Sequence, residues 1–334
     1  MRAATYDGKG GVEVIEVRDD VPEPELGTDD ALIEVAFAGL NRADCLERAG
    51  NYPQPRTAIT IGGMEYSGTV RATGAHVTNV QIGDRVCGLV PTGAHAERLA
   101  ANALTLSKIP EGVDFRTAAA IPEAFITAHD ALFAHAAFAL GQTALVHAVG
   151  SSVGLAAVEL VKRAGGVAIG TSRTGDKLER ARAHGLDFGF LLDDSWQGRV
   201  LAATGARGAD VILDFVGAPM LEGNAGVLAT RGRIVQIGTM GGAQAQVHLG
   251  VLMAKRGSIH GTVLRSRPLE EKIALARNFE RALLPMFARG ELRAELDRTF
   301  ALSDIRAAHE YMESNANFGK ITIRVSGSDA RRTP

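Results

Sequence analysis

Leu145-Val-His-Ala-Val-Gly-Ser-Ser-Val-Gly154 runs directly into Leu155-Ala-Ala-Val-Glu-Leu-Val-Lys-Arg-Ala164. The pattern predicts an apolar strand, a tight turn of small residues and an amphipathic helix. Small residues let backbone approach a pyrophosphate closely, and the unpaired N–H groups at a helix start hold its charge. Gly150, Ser151, Ser152 and Val153 are the candidate phosphate contacts. Against the glycine pattern G-x-G-x-x-G the match is degenerate, because Val149 and Ser151 occupy the first two glycine positions and only Gly154 is glycine.

The context supplies what the motif lacks. Val167–Thr171, Asp187–Leu192, Asp210–Phe215, Arg233–Gly238 and Ser258–Leu264 are short apolar runs, mostly separated by helical segments such as Lys177–His184. Near-continuous apolar strands alternating with helices indicate a parallel sheet covered on both faces. With the first strand this makes about six strands, a complete doubly wound domain.

The first 120 residues read differently. Alternating strands such as Ala31–Phe37 and Gly68–Thr73 are broken by turns at Pro22-Glu-Pro24, Gly62-Gly63, Gly83-Asp84 and Pro91-Thr-Gly93. This is a β-rich, partly open barrel or sandwich. After Leu264 the chain is helical over Leu269–Phe287 and closes with a strand, Lys320–Val325. That strand is expected to return to the β-rich domain, which makes the nucleotide domain an insertion. The boundaries expected are 1–122 with 266–334 for the β-rich domain and 123–265 for the nucleotide domain. The polar tail Ser326–Pro334 is expected to be disordered.

Composition narrows the class. The 334 residues are 46 % hydrophobic and 22 % charged, with a formal net charge of −2. The absence of basic excess argues against nucleic acid or an anionic membrane as partner. No apolar run approaches the roughly 20 residues that span a bilayer. Met1-Arg-Ala-Ala-Thr-Tyr-Asp7 opens into a strand-like segment without an apolar secretory core. Cys45 and Cys87, the two cysteines, make neither a disulfide framework nor a four-thiolate zinc site. A cytoplasmic enzyme is the expectation.

Leu40-Asn-Arg-Ala-Asp44, Gly62-Gly-Met-Glu-Tyr-Ser-Gly68, Gly83-Asp-Arg-Val86, Ala118-Ala-Ala-Ile-Pro-Glu123, Leu213-Asp-Phe-Val-Gly217, Lys255-Arg-Gly-Ser258 and Asn315-Ala-Asn-Phe-Gly-Lys320 follow one another in order around the turn. In order and spacing the chain resembles the zinc-free quinone oxidoreductase (zeta-crystallin-like) branch of the medium-chain dehydrogenase/reductase superfamily. The resemblance implies an α/β protein: a β-rich GroES-like catalytic domain plus a doubly wound parallel-sheet Rossmann domain. It implies hydride transfer from NADPH to a quinone-like conjugated acceptor.

Zinc-dependent relatives carry cysteine where this chain has Asn41 and histidine where it has Met64. An amide and a thioether are poor ligands for Zn²⁺, so no metal is expected. His95, His129 and His147 lack ligand partners at a sensible spacing, and His147, inside a strand, reads as a hydrogen-bonded core residue.

Cofactor choice rests on the end of the second strand, Gly170-Thr-Ser-Arg-Thr-Gly-Asp-Lys177. NAD sites place an acid there for the ribose hydroxyl. The first acid here is Asp176, which reads as a helix N-cap. Ser172, Arg173 and Lys177 suit a 2′-phosphate, which favours NADPH. Many relatives have a tyrosine near the adenosine where this chain has Leu192.

By resemblance, Asn41 lies near the nicotinamide ribose, Thr127 and the turns at Gly217 and Gly238 line the cofactor cleft, and Leu264, Arg265 and Asn317–Lys320 (Asn317, Gly319, Lys320) close over it. Tyr52 and Ser151 match positions implicated in activity. Tyr52 has the chemistry to donate to a reduced carbonyl oxygen, and Ser151 is equally suited to a purely structural role in the turn. Arg42, Asp44 and Glu65 read as an internal polar network.

Two alternatives stand beside quinone reduction. One is C=C reduction of a 2-alkenal, enone or enoyl thioester, for which Arg42, Arg48 and Arg56 would offer a cationic entrance to a carrier handle. The other is a non-catalytic NADPH-binding structural or RNA-associated protein, disfavoured by the charge balance. The apolar strand Ser258–Leu264 at a presumed sheet edge predicts a homodimer.

Overall fold

The computed structural model describes residues 1–52 and 59–326. Arg56, and the tail from Gly327 to Pro334, lie outside the described residues. The chain forms two compact units, Met1–Glu123 with Arg265–Pro334, and Ala124–Leu264.

The second unit is built on a six-stranded, all-parallel sheet. From edge to edge its strands are Phe188–Leu191, Val167–Ser172, Thr143–Val146, Ala209–Asp214, Leu228–Gln236 and Ser258–Gly261. Sequence order reverses direction at Thr143–Val146, which gives the switch point where such sheets place a ligand. Burial follows position. All four residues of Thr143–Val146 are buried, whereas the edge strand Ser258–Gly261 alternates between half-buried and exposed. Leu145, Ile169, Ile212 and Ile234 form a core with Trp196 and Val200. The last strand is shorter than the apolar run Ser258–Leu264. Beyond it the Thr262 N–H still donates inward, to Gln236 O.

The first unit carries an antiparallel-rich sheet, seven-stranded among the described residues. At its centre is Asp30–Leu40, eleven residues long, paired with Glu65–Thr73, Arg98–Asn102 and the closing strand Lys320–Arg324. The C-terminal strand therefore joins the sheet of the N-terminal segment, with Ile321 opposite Leu40 and Ile323 opposite Ala38. Ile33, Val35, Leu40, Tyr66, Ile321 and Ile323 are in its core. Among the described residues no helix is long and apolar enough to cross a membrane.

Candidate active site

In the second unit the turn that opens the helix Ser152–Arg163 is shaped by backbone. Ser151 is its N-cap, and the Ser151 hydroxyl accepts from Gly154 N at 3.0 Å. The structure thus gives Ser151 the capping role. Gly154 N is taken by that cap, while the N–H groups of Ser152 and Val153 have no intrahelical acceptor and remain for an anion. Ala148 sits at φ +47. A Cβ on Gly154 would stand 2.7 Å from Val149 O and 2.8 Å from Ala148 O. Both are backbone atoms, which is why only this position of the degenerate motif must be glycine.

Behind the turn runs a buried chain of hydrogen bonds that sequence reasoning missed apart from its histidine. Thr171 Oγ1 lies 2.7 Å from His147 Nδ1, and His147 Nε2 lies 2.7 Å from Asn224 Oδ1. Asn224 Nδ2 donates to Asp214 Oδ2 at 2.8 Å. The other Asp214 oxygen accepts from Val216 N and Gly217 N at 2.7 and 2.9 Å. The acceptor on Asn224 fixes His147 as the Nε2–H tautomer, and burial lowers its pKa. Asp214 thereby folds the turn at Gly217, which has φ +93 and would place a Cβ 2.5 Å from Gly242 O. Gly238 packs as closely, with its would-be Cβ 2.9 Å from Phe215 O. The signal for this network was present in the Asp214-to-Gly217 motif, but its partners are dispersed over 77 residues.

At the end of the second strand Ser172 is buried and accepts from Thr174 N at 3.2 Å, while Arg173 is exposed. Lys177 is half-buried. Asp176 is not the N-cap expected. Thr174 holds that position, and Asp176 lies inside the helix Gly175–Arg182, its pKa lowered mainly by a hydrogen bond from the Thr174 side chain. Leu192 N donates to Ser172 O, so this position does border the strand end. Thr127 Oγ1 is buried and has no hydrogen-bond partner among the described residues.

The first unit concentrates buried charge. Lys320 Nζ donates to Glu65 Oε2 at 2.5 Å and to Asn41 Oδ1 at 2.7 Å, and the Lys320 and Glu65 side chains are fully buried. Asn41 Nδ2 also donates to Glu65 Oε2. Glu65 Oε1 accepts from Glu123 N. The Lys320 ammonium is a counter-ion inside the protein. Asn317 Nδ2 donates to Gly319 O, and Gly319, at φ +84, packs on Glu295 O.

Asn41 N donates to Asp44 Oδ2 at 2.7 Å. Burial pushes the Asp44 carboxyl up to about 8, so it is protonated at neutral pH. The internal network was expected to include Arg42. It does not: Arg42 turns away to donate to Met312 O and Asn315 Oδ1, and Lys320 supplies the cation. Arg48 is likewise no part of a cationic entrance. Its side chain is buried, pairing with Glu313 and donating to Gly10 O.

Tyr52 lies beneath a guanidinium, with Arg265 Cζ 5.2 Å from its ring centre. Burial raises the Tyr52 pKa, keeping the hydroxyl protonated. Arg265 forms an ion pair with the fully buried Glu47 at 2.8 Å.

At the positions expected to decide on metal, Asn41 is committed to Glu65 and Lys320, and Met64 is buried. Among the described residues no group of three or more His, Cys, Asp or Glu is placed to hold a metal ion. Burial lowers His95 to about 4. These residues do not fit a zinc ion.

Residues 27–122 match the alcohol dehydrogenase GroES-like domain, and residues 184–323 match the zinc-binding dehydrogenase domain. A quinone oxidoreductase of Pseudomonas aeruginosa is 31 % identical over 319 residues, covering 94 % of this chain and 96 % of that one. This chain belongs to the quinone oxidoreductase family of medium-chain dehydrogenases/reductases. The human quinone oxidoreductase is 28 % identical, with 93 % of each chain covered. The crystal structure of the Escherichia coli quinone oxidoreductase complexed with NADPH superposes with a TM-score of 0.88 at 26 % identity, over 97 % of this chain and all of that one. This family member is an oxidoreductase, with a GroES-like domain and a Rossmann-type parallel sheet.

Proposed function

We propose that this quinone oxidoreductase-family protein is a zinc-independent reductase that transfers hydride from NADPH to a quinone-like conjugated acceptor. The observation that carries the cofactor half is the turn at Ala148–Gly154, where backbone carbonyls exclude even a methyl group at position 154 and a capped helix start faces the phosphates. When bound, the nicotinamide supplies the hydride. Gly150, Ser151, Ser152 and Val153 hold the pyrophosphate. Ser172, Arg173 and Lys177 take the 2′-phosphate, which no acid opposes before Asp176. Thr127 offers its unpartnered hydroxyl to the nicotinamide, with the turns at Gly217 and Gly238 lining the cleft. Asn41, Leu264, Arg265, Asn317 and Gly319 border the reduced end. Asn41 is held there by Lys320 and Glu65, and that rigidity is the contribution of Lys320. Tyr52, kept protonated by burial, donates to the reduced oxygen. The unfit donor set at Asn41 and Met64 supports zinc independence.

Lys177→Ala should raise the apparent constant for NADPH about tenfold or more, the loss of one charge-assisted hydrogen bond, and leave NADH nearly unchanged. Equal loss for both cofactors would refute the 2′-phosphate assignment. NADPH oxidation against a quinone panel and an enone panel separates quinone from C=C reduction, and activity should survive exhaustive chelation. We further propose a homodimer through the edge strand Ser258–Gly261, beside which Leu249 and Met253 are 67 % and 77 % exposed. Sedimentation should give about twice the 35.1 kDa chain mass, and Ile259→Asp should give monomer.

A further inference from the structure

Arg265 has more donors than partners. A guanidinium carries five N–H donors in a planar fork. Its side chain here is 7 % exposed, and Nη2 forms an ion pair with Glu47 Oε2. Nε and Nη1 are buried with no hydrogen-bond acceptor among the described residues. Its Cζ stands 5.2 Å from the centre of the Tyr52 ring, a contact that uses none of the N–H donors. Buried N–H groups without acceptors are costly and rare unless something fills them. Glu47 offsets the charge but not those donors. Asp44 adds no further anion nearby, because it is neutral at physiological pH.

We propose that Arg265 binds the carbonyl oxygen of the acceptor and holds the negative charge that reduction places on it. This deepens the reading above and rests on it. As hydride adds to a conjugated acceptor, a new bond to hydrogen forms, the C=C–C=O π pair moves onto oxygen, and the nicotinamide is oxidised as the acceptor is reduced. The resulting oxyanion is met by an Nη1–H of the guanidinium, and a proton from water or the Tyr52 hydroxyl completes the reduced product, Tyr52 being reprotonated by solvent. A buried, permanently charged guanidinium N–H is a strong donor to such an oxygen. The ligand class is therefore a conjugated carbonyl or its oxyanion, with a hydroxyquinone anion as a stable stand-in for the charged state.

The test is calorimetric titration of the full chain saturated with NADP⁺, so that nothing turns over. 2-Hydroxy-1,4-naphthoquinone, a monoanion at neutral pH, is compared with neutral 1,4-naphthoquinone on the wild type, Arg265→Gln, Arg265→Lys and the charge-balanced double variant Arg265→Gln/Glu47→Gln. The wild type should bind the anion more tightly than the neutral quinone. Arg265→Gln should weaken the anion about tenfold or more, with the neutral quinone and NADP⁺ changed less than about threefold, and Arg265→Lys should restore part of the loss. The double variant reports the same loss should Arg265→Gln alone not fold. Equal weakening of both quinones, or no preference for the anion in the wild type, would overturn the proposal while leaving quinone reduction standing. Weakened NADP⁺ would assign Arg265 to the cofactor instead. Binding of neither quinone by the wild type would overturn both readings.

Discussion

The two units build their candidate sites from opposite materials. In Ala124–Leu264 the candidate site is mostly backbone: a capped helix start, a glycine no other residue can replace, and two tight turns, with the side-chain network of His147, Asn224 and Asp214 behind them. In the first unit it is side-chain charge taken out of water, with Lys320 on Glu65 and Arg265 on Glu47. A phosphate can be met by N–H groups that any sequence possesses, so small residues suffice. An acceptor that gains charge during the reaction needs fixed dipoles and ions, whose burial must be offset by partners.

The largest expected effect breaks the charged side of this contrast. Lys320→Met leaves the fully buried Glu65 without its cation, which should cost about 3–5 kcal/mol in urea unfolding. Adding Glu65→Gln should recover much of it, since removing both charges removes the unpaired one. A loss of less than about 1 kcal/mol for the single variant would mean that water reaches the pair.

Gly154→Ala sharpens the backbone side. Its new methyl meets two carbonyl oxygens that cannot move without opening the turn. Stability should fall by about 1–3 kcal/mol, and NADPH affinity, read by calorimetry, should fall more than tenfold. An unchanged affinity would show that the phosphates do not lie on this turn.

A further effect is one of pH. Asp44, at about 8 in the folded protein against 3.8 ordinarily, binds its proton more tightly folded than unfolded. Its contribution to stability is present in full below about pH 4 and is lost as pH rises through 8, by about 1 kcal/mol per pH unit in between. Asp44→Asn keeps an oxygen for Asn41 N and should abolish that slope between about pH 6.5 and 8, measured by unfolding at each pH. The buried histidines His95, His147 and His309, whose pKa values burial lowers, act with opposite sign. They erode stability as pH falls below about 6.5 and so bound the window for this comparison on its acid side.

The doubly wound unit was legible because its signals are local. Strands buried on both faces read as apolar runs, and the helix after Val149 follows a turn whose small residues are adjacent in sequence. Misreadings cluster where partners are remote. Arg42 and Arg48, read as a charged entrance, find their acceptors at Met312 and Glu313, some 270 residues along. Asp176 was read as a cap because acids favour helix starts, yet Thr174 two residues earlier takes the position. The Lys320–Glu65 pair was likewise not legible, its partners lying 255 residues apart.

By itself the sequence determined the alternation of strand and helix, the glycine at 154, the two-part organisation of the chain and the mismatch of Asn41 and Met64 with a metal, all of which depend on residue type and short-range period. Only the tertiary structure decided which charges are neutralised inside and which donors are left over. Whether Lys320 or Arg265 is spent depends on what long-range folding brings within hydrogen-bond distance, and a buried charge takes its chemistry from that neighbour rather than from its place in the chain.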